Sequence, residues 1–163
     1  MECNMERICK WIDGLCTAGA FLSAVFMALI VVLIVTEIIL RAVFNASTLV
    51  AAEFSGYFLV VVVILGLGYT LQHNAHIRIT LVWDRLPARW RKIFDVIVGS
   101  TSLIITIFAL IYSILMVIDT YSLGMREDSL VETPLWLPQA VIPVGLFMLL
   151  LQLLAFIFRR LRS

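Results

Sequence analysis

Four long stretches without a charged side chain dominate this sequence of 163 residues. They are residues 14–36, 54–72, 96–118 and 133–158. A helix needs about 20 apolar residues to cross a hydrocarbon layer of about 30 Å, because each residue adds about 1.5 Å. The sequence therefore predicts an all-α integral membrane protein with a single membrane domain over residues 1–163. Its four transmembrane helices are expected at about 15–41, 52–72, 93–118 and 137–158.

The composition excludes the common soluble classes. Hydrophobic residues make up 63% of the chain and charged residues 14%, whereas soluble domains contain about 45–50% and about 25%. Twelve basic residues against 11 acidic ones give a net charge of +1. The chain has no large excess of positive charge and is therefore not expected to bind nucleic acid. Its apolar composition indicates that lipid surrounds it.

The placement of Lys and Arg predicts the orientation, since short cytoplasmic segments hold the excess of positive residues. Ten of the twelve lie before the first span, between the second and third spans, or after the fourth. Only Arg41 and Arg126 lie on the opposite side, where six acidic residues leave a net charge of −4. Both termini are therefore expected in the cytoplasm.

Charged side chains bracket the spans, and none lies near the middle of one. Proton relays and sites for charged solutes normally need Asp, Glu, Lys, Arg or His inside the membrane. A transporter built from this chain alone is therefore disfavoured, as is a proton-coupled exporter that depends on an intramembrane carboxylate.

Candidate contacts with a partner lie at the outer ends of the spans. Glu37 and Arg41 are four residues apart, so they can pair on one helix face. Either this pair is only structural or it also meets another subunit. The candidate contacts on the outer face are Glu37, Arg41, Glu53, Glu127, Asp128 and Glu132.

Residues 73–95, between the second and third spans, mix aromatic and aliphatic side chains with five basic ones. This pattern is typical of an amphipathic interfacial segment that buries one face at the headgroup boundary. Trp136 suits the aromatic belt at the start of the last span. The candidate interfacial anchors are Arg78, Trp83, Arg85, Arg89, Trp90, Arg91, Lys92 and Trp136.

Small and hydroxyl-bearing residues in the spans indicate helix packing. The first span contains Gly14, Ala18, Gly19, Ser23, Ala24 and Ala28, a set that lets helix backbones approach in lipid. The Ser and Thr residues of the third span can bond to their own helix, so we interpret them as packing residues and not as a channel.

The titratable residues that could bind a metal or haem do not form a recognisable site. Cys3, Cys9 and Cys16 fit no zinc or haem-attachment spacing and are expected to be structural. His73 and His76 lie on one connection, whereas haem ligands in a bundle must face each other from different helices. We expect no catalytic residue, metal ligand or cofactor site in this chain.

Six short passages, in order along the four spans, carry a family resemblance. They are ILRAVFN at 39–45, EFSGY at 53–57, GYTLQHNAHIR at 68–78, DRLP at 84–87, PLWLPQ at 134–139 and IPVG at 142–145. Over about residues 10–158 the chain resembles the small membrane subunit of tripartite ATP-independent periplasmic (TRAP) transporters, the DctQ-like family. One departure is Thr80, where that family usually has an acidic residue.

The resemblance implies a sodium-driven importer of an organic acid in the bacterial inner membrane. A periplasmic binding protein would deliver the acid to the membrane subunits. The large membrane subunit, separate or fused, would hold the substrate and sodium sites and move as an elevator. The small subunit would stabilise it as a scaffold and help to dock the binding protein.

Two other classes remain as alternatives. A self-sufficient carrier or channel could form by oligomerisation, with the hydroxyl-rich third span lining a pore. An integral-membrane enzyme or electron carrier is disfavoured, because the spans contain no paired histidines and no clustered catalytic set.

Overall fold

The computed structural model describes residues 2–48, 50–73, 88–129 and 131–162. Within these ranges the regular structure is helical. The helices are α1 (Glu2–Phe44), α2 (Ala51–Gln72), α3 (Ala88–Ser122), α4 (Trp136–Gln139) and α5 (Val141–Arg162). The all-α fold class predicted from the sequence is confirmed.

Four helical stretches are long and apolar enough to cross a membrane. They are Lys10–Phe44, Ala51–Gln72, Val96–Ser122 and Trp136–Arg159. α1 and α3 continue beyond their predicted spans at both ends, and α5 continues beyond its span at the C-terminal end. α1 has 43 residues and α3 has 35, which correspond to about 64 and about 52 Å of helix. Each is much longer than a hydrocarbon layer of about 30 Å, so both extend into the interfacial region.

The long helices pack as a row more than as a closed bundle. α1 packs along α2, α2 packs on α5, and α5 packs on α3, while α1 also touches α5. In the most apolar part of each spanning helix, only 11–22% of the residues are buried inside the chain. Most of the apolar surface is therefore left to lipid or to another protein.

α1 and α3, the helices at the two ends of this row, each bury a narrow seam of residues that repeats every seven positions. On α1 the buried residues Cys16, Ser23, Ile30 and Glu37 follow this interval, and on α3 it is followed by Gly99, Thr106, Ser113 and Thr120. A seven-residue repeat keeps one edge of a helix against its neighbour with a left-handed crossing. The seams are mostly small or polar, which permits close approach in lipid.

Glycines set the closest contacts between helices. At Gly145 of α5 an added Cβ would lie 2.1 Å from Cγ2 of Ile64 and 2.9 Å from its carbonyl oxygen. At Gly68 of α2 it would lie 2.8 Å from Sγ of Cys16. The absence of a side chain at these positions is therefore what brings α2 against α5 and against α1.

The predicted small-residue contact on α1 is only partly correct. Gly19 and Ser23 face α2: an added Cβ on Gly19 would lie 3.3 Å from the carbonyl oxygen of Leu65, and the Ser23 hydroxyl donates to the carbonyl of Val62 at 2.8 Å. The other four small residues, Gly14, Ala18, Ala24 and Ala28, are exposed on the side of the helix that faces away from this contact. The seven-residue seam is too narrow to include them.

A break in the last spanning segment separates α4 from α5 at Ala140. Pro143 has no N–H to donate to the carbonyl of Gln139, and its ring would clash with that carbonyl in a continuous helix. The sequence predicts a kink at Pro143. In the structure the helix is interrupted at Ala140, directly after Gln139, whose carbonyl would need an N–H donor that the proline does not have.

Candidate functional site

The carboxylate of Glu37 is buried at the C-terminal end of α1 and organises the loop that follows it. This end, and the two loops at it, are called outer after the orientation predicted from the sequence. Glu37 Oε1 accepts hydrogen bonds from Nε of Arg41 at 2.7 Å and from Oγ of Ser47 at 2.6 Å. Its Oε2 accepts from the backbone N–H of Thr48 at 3.1 Å and from the hydroxyl of the same residue. The pair predicted from the spacing of Glu37 and Arg41 is therefore present, and it also holds the loop that leads to α2.

Arg41 reaches from this cluster into the surroundings. Its side chain is 62% exposed and its Nη2 donates to Oγ of Ser47 at 3.1 Å. A partly exposed guanidinium at the end of a spanning helix is in the position expected for contact with headgroups or with a neighbouring subunit.

Glu53, in the first turn of α2, connects that helix to the second outer loop. The hydroxyl of Tyr57 donates to its Oε1 at 3.0 Å. The hydroxyls of Ser129 and Thr133 lie beside the same carboxylate, and its Oε2 is buried with them without a hydrogen bond of good geometry. Glu53 therefore faces residues about 80 positions later in the chain and packs the outer loop against α2.

The second outer loop, which the structure describes at residues 123–129 and 131–135, forms a short hairpin. The backbone N–H of Glu127 donates to the carbonyl of Thr133 at 3.0 Å, and that of Leu135 donates to the carbonyl of Met125 at 3.2 Å. Gly124 has a φ of +59°, a left-handed conformation that glycine adopts without steric cost. These contacts give the outer loop a defined backbone.

The tip of the hairpin is polar and largely acidic. Its side chains surround a shallow open cavity of about 530 Å³, lined by Arg126, Glu127, Asp128, Ser129 and Glu132. Arg126 pairs with Glu132 at 3.3 Å, and both side chains are about two thirds exposed. Asp128 is exposed and Glu127 is half-buried, so acidic groups are displayed at the outer surface.

A second polar cluster, absent from the sequence predictions, connects α1 and α5 at the opposite end. Nε2 of Gln152 donates to Oδ1 of Asp13 at 3.2 Å, and Nη2 of Arg159 bonds Oδ2 of Asp13 at 2.6 Å. The Cys16 thiol lies 3.8 Å from Oε1 of Gln152. Gln152 is only 2% exposed, so its amide is satisfied entirely within the chain.

The available signal for this cluster was the isolated amide of Gln152 in an apolar run, together with an aspartate at the start of the first span. Cys16 is a free and buried thiol, in agreement with the structural role predicted for it. The structure does not describe the side chains of Cys3 and Cys9.

Three hydroxyls in the middle of α3 bond to their own helix. Thr101 donates to the carbonyl of Ile97, Thr106 to that of Ser102 and Ser113 to that of Leu110, at 2.8–2.9 Å. These hydrogen bonds agree with the interpretation of the hydroxyls as packing residues, because a hydroxyl bonded to its own backbone is not directed at a passing solute.

Three of the predicted interfacial anchors lie outside the described residues, namely Arg78, Trp83 and Arg85, and so do His76 and Thr80. Four more lie in the first turns of α3, where the structure describes the backbone and not their side chains: Arg89, Trp90, Arg91 and Lys92. His73 is exposed at the end of α2 and stacks on Tyr69, with ring centroids 4.3 Å apart. Trp136 is half-buried and packs edge-on against Tyr121 at 5.6 Å.

Comparison with known proteins identifies the family. The sequence model of the family described as tripartite ATP-independent periplasmic transporters, DctQ component, matches residues 30–163. The chain is 26% identical over 128 residues to the ectoine TRAP transporter small permease protein TeaB of Halomonas elongata. That match covers 76% of this chain and 66% of the relative, just under two thirds of its length.

A second relative comes from Haemophilus influenzae and carries the name "Putative TRAP transporter small permease protein". The identity is 23% over 145 residues, which cover 89% of this chain and 86% of the relative.

Proposed function

Because this chain belongs to the DctQ family of tripartite ATP-independent periplasmic transporters, in which it is a small permease subunit and not an enzyme, we propose that it acts as a static scaffold. In this proposal it packs against the large membrane subunit, which carries the substrate and sodium sites and moves during transport. A periplasmic binding protein delivers an organic acid to the outer face of the pair. The relative named for ectoine is too distant to assign a substrate by itself.

The observation that carries the scaffold proposal is the position of the ionisable groups in the described spans. Asp13 and Arg159 lie together at one end. The carboxylates near the other end are those of Glu37, Glu53 and Asp119. Side chains of this chain engage the carboxylates of Asp13, Glu37 and Glu53. A site for a charged solute needs a compensating charge inside the membrane, and we therefore assign substrate and sodium binding to the partner.

The self-sufficient carrier or channel is the second candidate, and its support was the hydroxyl-rich third span. Thr101, Thr106 and Ser113 of α3 donate to carbonyls one turn earlier on the same helix. A pore would need them to be free for water or solute. We therefore rank this candidate below the scaffold.

We propose different roles for the six outer residues. Glu37, Arg41 and Glu53 hold the ends of α1 and α2 to the two outer loops. Glu127, Asp128 and Glu132, at the hairpin tip, supply the charge that meets the binding protein. Exposed charges of one sign favour and orient encounters with a complementary surface.

A transport assay with reconstituted subunits tests the scaffold proposal. Proteoliposomes receive the large subunit alone, the small subunit alone, or both, with the binding protein and a sodium gradient. We expect uptake only with both membrane subunits, and co-purification of the two in near-equal amounts. Uptake by the small subunit alone would instead support the carrier.

Both termini are proposed to be cytoplasmic, in a bacterial inner membrane, and the interfacial segment contributes five of the ten basic residues on that side. Reversing two of its charges with Arg89→Glu and Arg91→Glu is expected to disturb topology or assembly. A compartment-specific reporter fused in this connection measures the effect. An unchanged cytoplasmic signal and normal assembly would contradict the weight given to these residues.

A further inference from the structure

A shallow groove on the surface of α1 lies away from the polar cluster that Asp13 forms with α5. It has a volume of about 420 Å³ and is lined by Arg7, Lys10, Trp11, Gly14, Leu15 and Ala18. All six residues belong to α1, and all six are exposed. The groove is basic at one end and apolar at the other. No contact within the described part of the chain covers this surface.

The basic end lies at the depth of the lipid headgroups. The uncharged stretch of α1 begins at Gly14, so Lys10 and Arg7 are about 6 and about 10 Å outside it along the helix. The headgroup region on each side of a bilayer is about 5–8 Å thick. Lys10 therefore lies within the headgroup region, and Arg7 lies just beyond it, from where its long side chain can reach back to phosphate. Neither forms an ion pair with a side chain that the structure describes.

The apolar end has the shape of a notch at the start of the hydrocarbon layer. Gly14 and Ala18 lie one turn apart with little or no side chain, and a Cβ added at Gly14 would meet no atom within 4 Å. Trp11 and Leu15 flank this space and are 72% and 51% exposed. An acyl chain can lie there beside the indole ring, which favours the membrane interface.

The charge around the groove selects an anionic occupant. Among the side chains that the structure describes, no acidic one lines it, because Asp13 is turned toward α5 and pairs with Arg159 at 2.6 Å. Each basic residue near a membrane surface favours an anionic lipid by about fivefold, so two can enrich it by up to about 25-fold. We propose that this groove binds one anionic phospholipid, with the phosphate on Arg7 and Lys10 and an acyl chain along Gly14 and Ala18.

Trp11 supplies a direct test. The full chain is reconstituted into two sets of vesicles with the same minority fraction of phosphatidylglycerol in phosphatidylcholine. In one set the bromine atoms are on the acyl chains of phosphatidylglycerol, and in the other an equal amount of phosphatidylcholine is brominated. The Trp11 signal is the difference in fluorescence between the chain and its Trp11→Phe variant.

The expected result is stronger quenching of Trp11 when the bromine is on phosphatidylglycerol. The double variant Arg7→Gln and Lys10→Gln should bring the quenching ratio of the two sets to about one, because the surface charge is the same in both. Arg126→Gln, on the outer hairpin, is the matched control and should keep the wild-type ratio. Gly14→Leu should lower quenching by both lipids, since its side chain fills the notch without a collision.

Two results would overturn the proposal. Equal quenching in both vesicle sets for the wild-type chain would mean that the groove does not select an anionic lipid. Loss of all quenching when the large subunit is added would mean that protein covers the groove. Neither result bears on whether the assembled complex transports substrate, so the scaffold proposal is tested separately.

Discussion

Replacement of Gly145 by Ala tests the closest helix contact in the chain. The new Cβ would lie 2.1 Å from Cγ2 of Ile64, 2.9 Å from its carbonyl oxygen and 3.0 Å from its carbonyl carbon. Carbon atoms pack best at about 3.5–4.0 Å. The methyl group of Ile64 can rotate away, but the backbone atoms cannot, so α2 and α5 must separate.

The magnitude follows from two opposing terms. Overpacking of this kind costs about 1–3 kcal/mol, and alanine regains up to about 1 kcal/mol of helix propensity over glycine. We expect Gly145→Ala to lower the free energy of unfolding by about 1–2 kcal/mol. Gly56→Ala is the matched control on α2, because its Cβ meets nothing within 4 Å, and it should be neutral or stabilising.

Equilibrium unfolding in detergent micelles, followed by circular dichroism, measures both variants. Ile64→Ala removes the Cγ2 atom, so combining it with Gly145→Ala should recover part of the loss and leave the part due to the carbonyl. The two single changes are therefore expected to be non-additive, as residues in contact usually are. Equal stability of the Gly145→Ala and Gly56→Ala variants, or strict additivity with Ile64→Ala, would refute the reasoning.

Three further variants test the polar contacts. Gln152→Leu should lower the free energy of unfolding by about 1–3 kcal/mol, because it leaves buried partners unsatisfied, and thermal unfolding in micelles checks this. Ser23→Ala should cost about 0.5–1 kcal/mol through the lost interhelical bond, whereas Thr36→Ala, whose hydroxyl bonds its own helix, should cost less. Glu37→Gln should loosen the first outer loop, visible as faster hydrogen exchange over residues 45–48 with the hairpin unchanged.

The four spanning helices could be predicted because the positions of the charged residues show which segments can lie inside the membrane. A run of about 20 uncharged residues has one stable solution in lipid, a hydrogen-bonded helix. The positions of the charged residues do not, however, show where each helix begins and ends. Charged residues leave the hydrocarbon layer, but a helix can continue in water, and α1 extends from its predicted start near residue 15 back to Glu2.

Contacts within one helix turn were also predictable, and contacts between distant segments were not. Glu37 and Arg41 are four residues apart, so their pairing follows from helix geometry. The bonds from Asp13 to Gln152 and Arg159 join residues 139 and 146 positions apart. Which helices become neighbours decides such contacts, and a single sequence with four similar apolar spans does not specify that order.

The small residues of α1 show the same limit. Composition correctly indicated a helix contact, and Gly19 and Ser23 make it. It could not indicate that the seam repeats only every seven residues, about once in two turns, and leaves out Gly14 and Ala18. Those two positions instead lie at the apolar end of the groove on the surface of α1.

The exposed apolar surface of this chain needs a different interpretation from that of a soluble protein. In water, the exposure of Ile104, Phe108 and Tyr112 on α3, at 58–68%, would indicate a missing partner. In lipid the same exposure costs little, because acyl chains are as apolar as the side chains. Recognition must therefore depend on shape along the helices and on the polar groups at their ends. Ile104→Ala should consequently leave assembly with the large subunit nearly unchanged if lipid covers that face, whereas charge reversal at Asp128 should weaken capture of the binding protein. A large loss of assembly with Ile104→Ala in pull-down experiments would instead place the large subunit on α3.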